Sequence, residues 1–207
     1  MKRLLFLSIL IVAIASCVPV VTFNQPQPEG VDSLTVIPRK LIGQYLVKNG
    51  GGILNIDRHF MILHYDYDVK QPKDSIDWNN LTSEEKSKYR VEGDSVVEHI
   101  TDVDTLFRFS EDNVLKKFKG YYFLNSIYGK HSWMVNKLKL EKGVLTIGSI
   151  STKEELKTLD KINESPIDTT TYQITFTRKQ FHEYIDNDGF SKVDTFIRVR
   201  SGKNQIK

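Results

Sequence analysis

The sequence predicts a mainly β chain, an antiparallel barrel or sandwich carrying two or three short helices. Three features carry that expectation. Short aromatic and aliphatic runs recur along the chain, separated by turns rich in Gly, Asn and Asp. Several runs alternate apolar and polar residues, the period-two pattern of a strand with one buried face. Helical signatures are confined to a few capping boxes.

The elements follow in order. Leu41 to Val47, Gly52 to Ile56 and Phe60 to Tyr67 are expected as strands, with the flexible turn Asn49-Gly50-Gly51-Gly52 between the first two. Tyr89 to Ile100, broken at Glu92-Gly93-Asp94, predicts a hairpin, and Thr105 to Phe109 a further strand. Tyr121 to Tyr128, Trp133 to Leu140 and Val144 to Ile150 come next, the last two joined at Glu141-Lys142-Gly143. Thr171 to Phe176 and Val193 to Arg200 complete the strands. Ser151-Thr152-Lys153-Glu154 predicts a helix start running to about Ile162, and Thr177-Arg178-Lys179-Gln180 another, closed by Gly189. A short helix is expected near Ser83 to Lys88. Strands this short and this closely spaced favour a sandwich or barrel.

The chain begins like a secretory signal. Lys2 and Arg3 form a positive start, Leu4 to Ile14 an apolar run, and Ala15-Ser16 the small pair before a cleavage site. The apolar run is too short for a bilayer core of about 30 Å, which takes about 20 helical residues. Residues 1–16 are therefore expected to be a signal peptide. The Ile14-Ala15-Ser16-Cys17 sequence resembles the lipobox of bacterial lipoproteins, and that resemblance implies lipidation (palmitate and diacylglyceryl chains) at Cys17. Two or three chains anchor durably where a single chain binds only marginally. Cys17 is the sole Cys, so the exported part contains no disulfide, and lipidation accounts for the lone thiol. Val18 follows where an inner-membrane retention Asp would stand, so the resemblance implies residence at the outer membrane, and no acidic cluster resembling a surface-export signal follows Cys17, so the periplasmic face is expected.

Without Lys2 and Arg3 the formal net charge falls from +3 to +1, with acids and bases interspersed. That balance argues against nucleic acid as a partner. Lys116-Lys117-Phe118-Lys119, the densest basic run, is expected as the flank of a strand. Residues 17–38 hold the Pro-rich stretch Gln25-Pro26-Gln27-Pro28-Glu29-Gly30. They are expected to form a flexible tether which, at about 3.1 Å per residue, reaches up to about 60 Å from the membrane. Residues 39–207 are then expected to form a single β-rich domain.

Leu41-Ile42-Gly43-Gln44-Tyr45 with Gly52-Ile53-Leu54-Asn55-Ile56 echoes Phe118-Lys119-Gly120-Tyr121-Tyr122 with Gly143-Val144-Leu145-Thr146-Ile147. Two similar halves are one reading; two ordinary strands beginning with Gly are the other. The Gly-x-Tyr opening, where Gly lets a ring lie on the backbone, is similar to that of lipocalin-like barrels.

Chemistry-bearing groupings are sparse. His64, Asp66 and Asp68 would share one face of an extended strand and are the weak metal candidates. Same-face neighbours lie about 6.6–6.8 Å apart along a strand, so one ion would reach two of them at most, and a polar outer face explains them equally. Asp186-Asn187-Asp188-Gly189 lacks the first and closing ligands of a calcium loop, which leaves a polar helix end. There is no Gly-x-Ser-x-Gly elbow, and Gly50-Gly51-Gly52 has no Lys-Ser/Thr after it to cradle phosphate. No catalytic residue and no cofactor are assigned from the sequence. Asp-Ser or Asp-Thr followed by an aliphatic residue or Thr recurs, with Ser33, Ser75, Ser95, Thr105 and Thr169 as the hydroxyl residues. These triplets resemble the O-glycosylation sites of exported Bacteroidetes proteins; turn formation by Asp-Ser and Asp-Thr is the plain alternative.

Phe176-Thr177-Arg178-Lys179-Gln180-Phe181 through Gly189-Phe190 to Phe196-Ile197-Arg198, with Pro28-Glu29-Gly30-Val31 and the Trp133 to Ile150 hairpin, resembles small Bacteroidetes-type outer-membrane lipoproteins. That resemblance implies an address and brings no activity or ligand with it. The function expected is a membrane-anchored, non-catalytic binding or structural module of the cell envelope, its partner an envelope protein. A small barrel carrying an apolar small molecule is the alternative, and an envelope hydrolase the third.

Overall fold

A computed structural model describes residues 20–48, 50–163 and 172–199. Strands β1 (Thr22–Phe23), β2 (Ser33–Leu34), β3 (Gly43–Val47), β4 (Gly52–Ile56) and β5 (Phe60–Pro72) precede helix α1 (Ser83–Ser87). Strands β6 (Tyr89–Glu92), β7 (Ser95–Arg108), β8 (Asn113–Phe118), β9 (Tyr121–Tyr128), β10 (Ser132–Glu141) and β11 (Val144–Ser149) follow. Helix α2 (Lys153–Ile162), β12 (Gln173–Ile174), helix α3 (Arg178–Asp186) and β13 (Lys192–Arg198) complete the order. The architecture is mainly antiparallel β with three short helices, the class expected. No helix among the described residues is long and apolar enough to cross a membrane. The signal peptide and the lipid-bearing Cys17 lie outside the described residues.

The chain divides into two compact units. The first takes residues up to Ser33, Val114–Leu138 and Ile147–Val193; the second takes Leu34–Asn113, Lys139–Thr146 and the residues from Asp194 on. The divisions fall inside β2, β8, β10, β11 and β13. No Pro- or Gly-rich linker marks them, so composition does not announce them.

In the first unit β10 pairs antiparallel with β9 from Ser132↔Tyr128 to Leu138↔Tyr122. Strand β1 adds to β10 at Phe23↔Trp133 and runs parallel to β12. The core is aromatic. Phe181 of α3 meets Phe123 at 5.0 Å and Phe23 at 6.0 Å, both edge-on, and Tyr184 meets Phe190 at 5.4 Å. Edge-to-face rings at such distances add about 0.5–1.5 kcal/mol each beyond area burial. Leu159 and Ile162 on one face of α2 close this core. The α2 capping box is Thr152 with Glu155, one residue later than expected.

That core corrects the tether. Val21, Thr22, Phe23, Gln27 and Pro28 are buried. The Asn125 side chain accepts from the Gln27 amide at 2.6 Å and donates to the Gln27 carbonyl at 2.9 Å, as a neighbouring strand would. Lys116 Nζ donates to the Pro26 and Pro28 carbonyls at 2.8 and 2.9 Å. Residues 21–28 are thus a packed strap. Proline denies the segment ladder hydrogen bonds, and two side chains supply partners instead. Lys116, expected in the flank of a strand, lies buried within β8 as one half of that arrangement.

In the second unit the strands lie in the order β13–β3–β4–β5–β7–β6, every neighbouring pair antiparallel. This sheet is open, and β6 ends the path. Tyr45, Leu54 and Leu63 occupy one cross-strand row and are buried with Met61 and Phe107. At Met61/Ile62 the β5–β7 register shifts, leaving Leu106 as the extra residue of a bulge. β5 and β7 are longer than expected. Past Tyr65, where β4 ends, they continue as a ribbon to Pro72↔Ser95, joined there by β6.

The two Gly-x-Tyr openings differ. At Gly43 the Tyr45 ring comes within 4.0 Å of where a Cβ would stand. Gly120 has no such neighbour; Lys119 and Gly120 both take positive φ (49° and 85°), and Lys142 with Gly143 repeats this (49° and 84°). Positive φ at both central residues marks a type I′ hairpin turn, whose twist matches the strands it joins.

Candidate binding surface

Parity along a strand assigns faces, and register decides which side chains share a row. In the second unit Ile197 of β13 lies opposite Leu46, Leu46 opposite Ile53, Ile53 opposite His64, and His64 opposite Val103. Directly paired residues point to one side, so these five form a continuous row on the face opposite Tyr45, Leu54 and Leu63. That face is solvent-exposed: Ile197 46 %, Leu46 48 %, Ile53 40 % and Val103 58 %. An antiparallel sheet with one face on a core ordinarily shows polar residues on the other. Here four of five are aliphatic. The next outward row begins with Gln44 and Asn55, joined by a 2.9 Å hydrogen bond. Two polar residues thus border the aliphatic row on β3 and β4.

Farther along β5 the outward face becomes charged. His99 of β7 contacts Asp68 through Nδ1 at 2.9 Å and Asp66 through Nε2 at 3.6 Å. Arg90 of β6 reaches Glu92 at 3.0 Å and Asp68 at 3.8 Å, and Lys70 reaches Glu92 at 3.2 Å. Hydrogen bonds from Arg90 and Lys70 hold the Glu92 carboxyl below its ordinary range. All these groups are exposed, so the pairs contribute little and weaken further with salt. The sequence missed His99 as partner of Asp66 and Asp68; only the cross-strand register brings it there.

The weak metal set is not assembled. Asp66 and Asp68 share His99, whereas His64 sits in the aliphatic row between Ile53 and Val103. Among the described residues no three His, Cys, Asp or Glu side chains are gathered closely enough to hold an ion. The physical reason is the strand repeat, which spreads the three along β5.

The hydroxyl candidates are dispersed. Ser33 lies exposed in β2 and Thr105 exposed in β7, while Ser95 is half-buried at the β6–β7 turn. Ser75 is exposed in a single 3₁₀ turn, where its hydroxyl donates to the Pro72 carbonyl at 2.6 Å. Thr169 lies outside the described residues.

Buried polar chemistry sits in the first unit. Glu155 Oε2 accepts from the amides of Ser151 and Thr152 at 2.9 and 3.0 Å, and Oε1 accepts from the Ser191 amide at 2.8 Å and the Tyr184 hydroxyl at 3.3 Å. Burial pushes this carboxyl up, and the amides of Ser151, Ser191 and Thr152 together outweigh it, leaving the group below its ordinary range. Burial, then the Glu155 charge, drives the Tyr184 hydroxyl far up, so it stays a proton donor. Both oxygens of Glu155 are filled from within the fold, an arrangement that braces α2, α3 and the β13 approach. Neither a family model, a curated protein nor a solved structure matches this chain significantly.

Proposed function

We propose that this chain is a lipid-anchored, non-catalytic binding module of the cell envelope. Cys17 holds it at the outer membrane, facing the periplasm, and it meets an envelope protein through the outer face of the second unit's sheet. The observation that carries the binding role is the exposed row Ile197–Leu46–Ile53–His64–Val103. The anchor rests on the Ile14-Ala15-Ser16-Cys17 motif. A partner with a complementary apolar strip would remove four aliphatic side chains from water. At about 25 cal/mol per Å² of apolar area, such burial is a sizeable driving force.

The two parts separate experimentally. Labelled palmitate should enter the chain in cells and be lost with Cys17→Ser; unlabelled wild-type chain overturns the anchor. A photo-crosslinking residue at position 53 should yield one discrete protein adduct in intact cells. Leu46→Lys should abolish it while leaving the melting temperature unchanged, because Leu46 is half exposed. No adduct, or an adduct indifferent to Leu46→Lys, removes the binding surface.

A further inference from the structure

The chain is locked into the first unit very soon after Cys17. Val21 and Phe23 are buried, whereas Val20 just before them is exposed. The Thr22 amide donates to the Tyr172 carbonyl at 3.1 Å and the Asn24 amide to the Ile174 carbonyl at 3.0 Å. Strand β1 also pairs with β10 at Phe23↔Trp133. Peeling β1 away to lengthen the tether would pull the Phe23 ring from Phe176 and Phe181, which it meets at 5.9 and 6.0 Å. The core opposes that.

Covalent geometry then bounds a distance. Val21 follows Cys17 by four residues, and an extended chain spans at most about 3.3–3.6 Å per residue, so the two lie within about 14 Å. The unpacked tether would have reached about 60 Å. Acyl chains hold a lipidated Cys17 at the edge of the hydrocarbon core. Crossing the headgroup layer takes about 5–8 Å, roughly half of the tether. Val21 therefore stands less than about 10 Å above the headgroups. A unit whose buried residue stands that low touches the headgroups with the surface around its entry.

Contacts identify part of that surface. Tyr172, whose carbonyl holds Thr22, turns its hydroxyl to Asp160 of α2 at 3.4 Å. Lys157 and Lys161 of the same helix are exposed. Their spacing places both on one side, away from the buried Leu159 and Ile162. The exposed residues of α2 are Lys153, Lys157 and Lys161 against Glu154 and Asp160, a small positive excess. Ammonium groups on long stems suit the phosphates of anionic headgroups.

We infer that the first unit rests directly on the lipid headgroups, with the β1 entry and the exposed side of α2 as its contact face. This rests on the Cys17 anchor proposed above and is independent of the outer aliphatic row.

The test uses the lipidated Lys161→Cys chain. Cys17 is the sole native cysteine and its thiol is consumed by the lipid, so position 161 alone takes a fluorescent maleimide. The chain is reconstituted into phosphatidylcholine–phosphatidylglycerol vesicles with and without a lipid carrying a nitroxide on its headgroup. Emission should fall by about half with the nitroxide, which quenches only a dye at the membrane surface. A flexible insert of about thirty Gly and Ser residues between Pro19 and Val20 adds roughly 30 Å of reach and should restore the emission. A chain that enters the vesicles and is not quenched overturns the contact face and leaves the anchor standing. Quenching indifferent to the insert overturns the short tether as its cause. A chain that stays in the aqueous phase removes the anchor itself, and the contact face with it.

Discussion

The hydroxyl of Tyr184 donates across 3.3 Å to the Glu155 oxygen that also takes the Ser191 amide at 2.8 Å. This joins α3 to the capping box of α2 through one buried carboxylate. A capping box ordinarily sits at the surface; here the Glu that closes it is buried and serves three segments at once.

Acid should therefore weaken the first unit in a way traceable to Glu155. Its folded pKa lies below the ordinary value, so between the two the unfolded chain binds more protons. The stabilisation is present above about pH 4.5 and is lost as pH falls through the folded value. Urea midpoints measured from pH 7 to pH 3 should decline more steeply in the wild type than in Glu155→Gln. At pH 7 that variant should be less stable by about 1–3 kcal/mol, the cost of disturbing hydrogen bonds to a buried charged group. Parallel acid profiles for the two proteins would assign the acid loss to other carboxylates.

Lys116 gives a second prediction, about the strap. Burial lowers its pKa, with Asp32 and Glu29 opposing, and its ammonium donates to two proline carbonyls in a segment whose missing proline N–H groups preclude a regular ladder. Lys116→Met keeps most of the volume and leaves the Pro26 and Pro28 carbonyls without that donor. A loss of about 1–3 kcal/mol is expected. Hydrogen exchange should localise it, with the Gln27 amide exchanging faster while the Phe123 amide changes little. Unchanged Gln27 protection would show that Asn125 alone holds the strap.

Gly148 tests a close approach. A Cβ at this position would stand 2.5 Å from the Phe190 carbonyl oxygen and 3.1 Å from the Phe190 Cβ. Backbone cannot withdraw cheaply, so Gly148→Ala should cost about 1–3 kcal/mol through overpacking. Thermal unfolding of that variant at or above the wild-type midpoint would contradict the packing of β11 on the Phe190 segment.

Strand existence was legible where alternation is clean. Gly52–Ile56 and Tyr121–Tyr128 occur as their patterns predict, and the break at Glu92-Gly93-Asp94 is a hairpin. β8 was hidden because Lys116 and Lys117 mask its pattern; the sequence does not show that one lysine is buried against carbonyls nearly a hundred residues away. The α2 cap was displaced because Ser151 with Glu154 and Thr152 with Glu155 both fit a capping box, and two distant donors, the Ser191 amide and the Tyr184 hydroxyl, favour Glu155. The outer aliphatic row left a faint trace. Tyr45-Leu46-Val47, Ile53-Leu54 and Phe196-Ile197 are continuous apolar runs, the signature of strands covered on both faces. Which of them align is a matter of register, and register is a long-range property.

The last prediction concerns Tyr45, which lies opposite Leu54 in the buried row and carries a polar tip that the core must satisfy. Its hydroxyl donates to Leu41 and accepts from Arg198, whose guanidinium carbon also stands 5.0 Å from the ring centre. Tyr45→Phe preserves the ring, the packing and the cation contact while removing the hydroxyl. The Leu41 carbonyl and Arg198 Nε then each lose a partner, which should cost about 0.5–1.5 kcal/mol in urea unfolding. The effect should be largest at the turn of residues 38–42, which loses its tie to the core. Hydrogen exchange at the Leu41 and Ile42 amides should therefore quicken in Tyr45→Phe, whereas the crosslink from position 53 should persist, the outer row being held by strand pairing alone. If the protection of those two amides were unchanged while stability fell by the expected amount, the turn would be positioned by the Pro38 and Arg39 backbone hydrogen bonds without help from Tyr45.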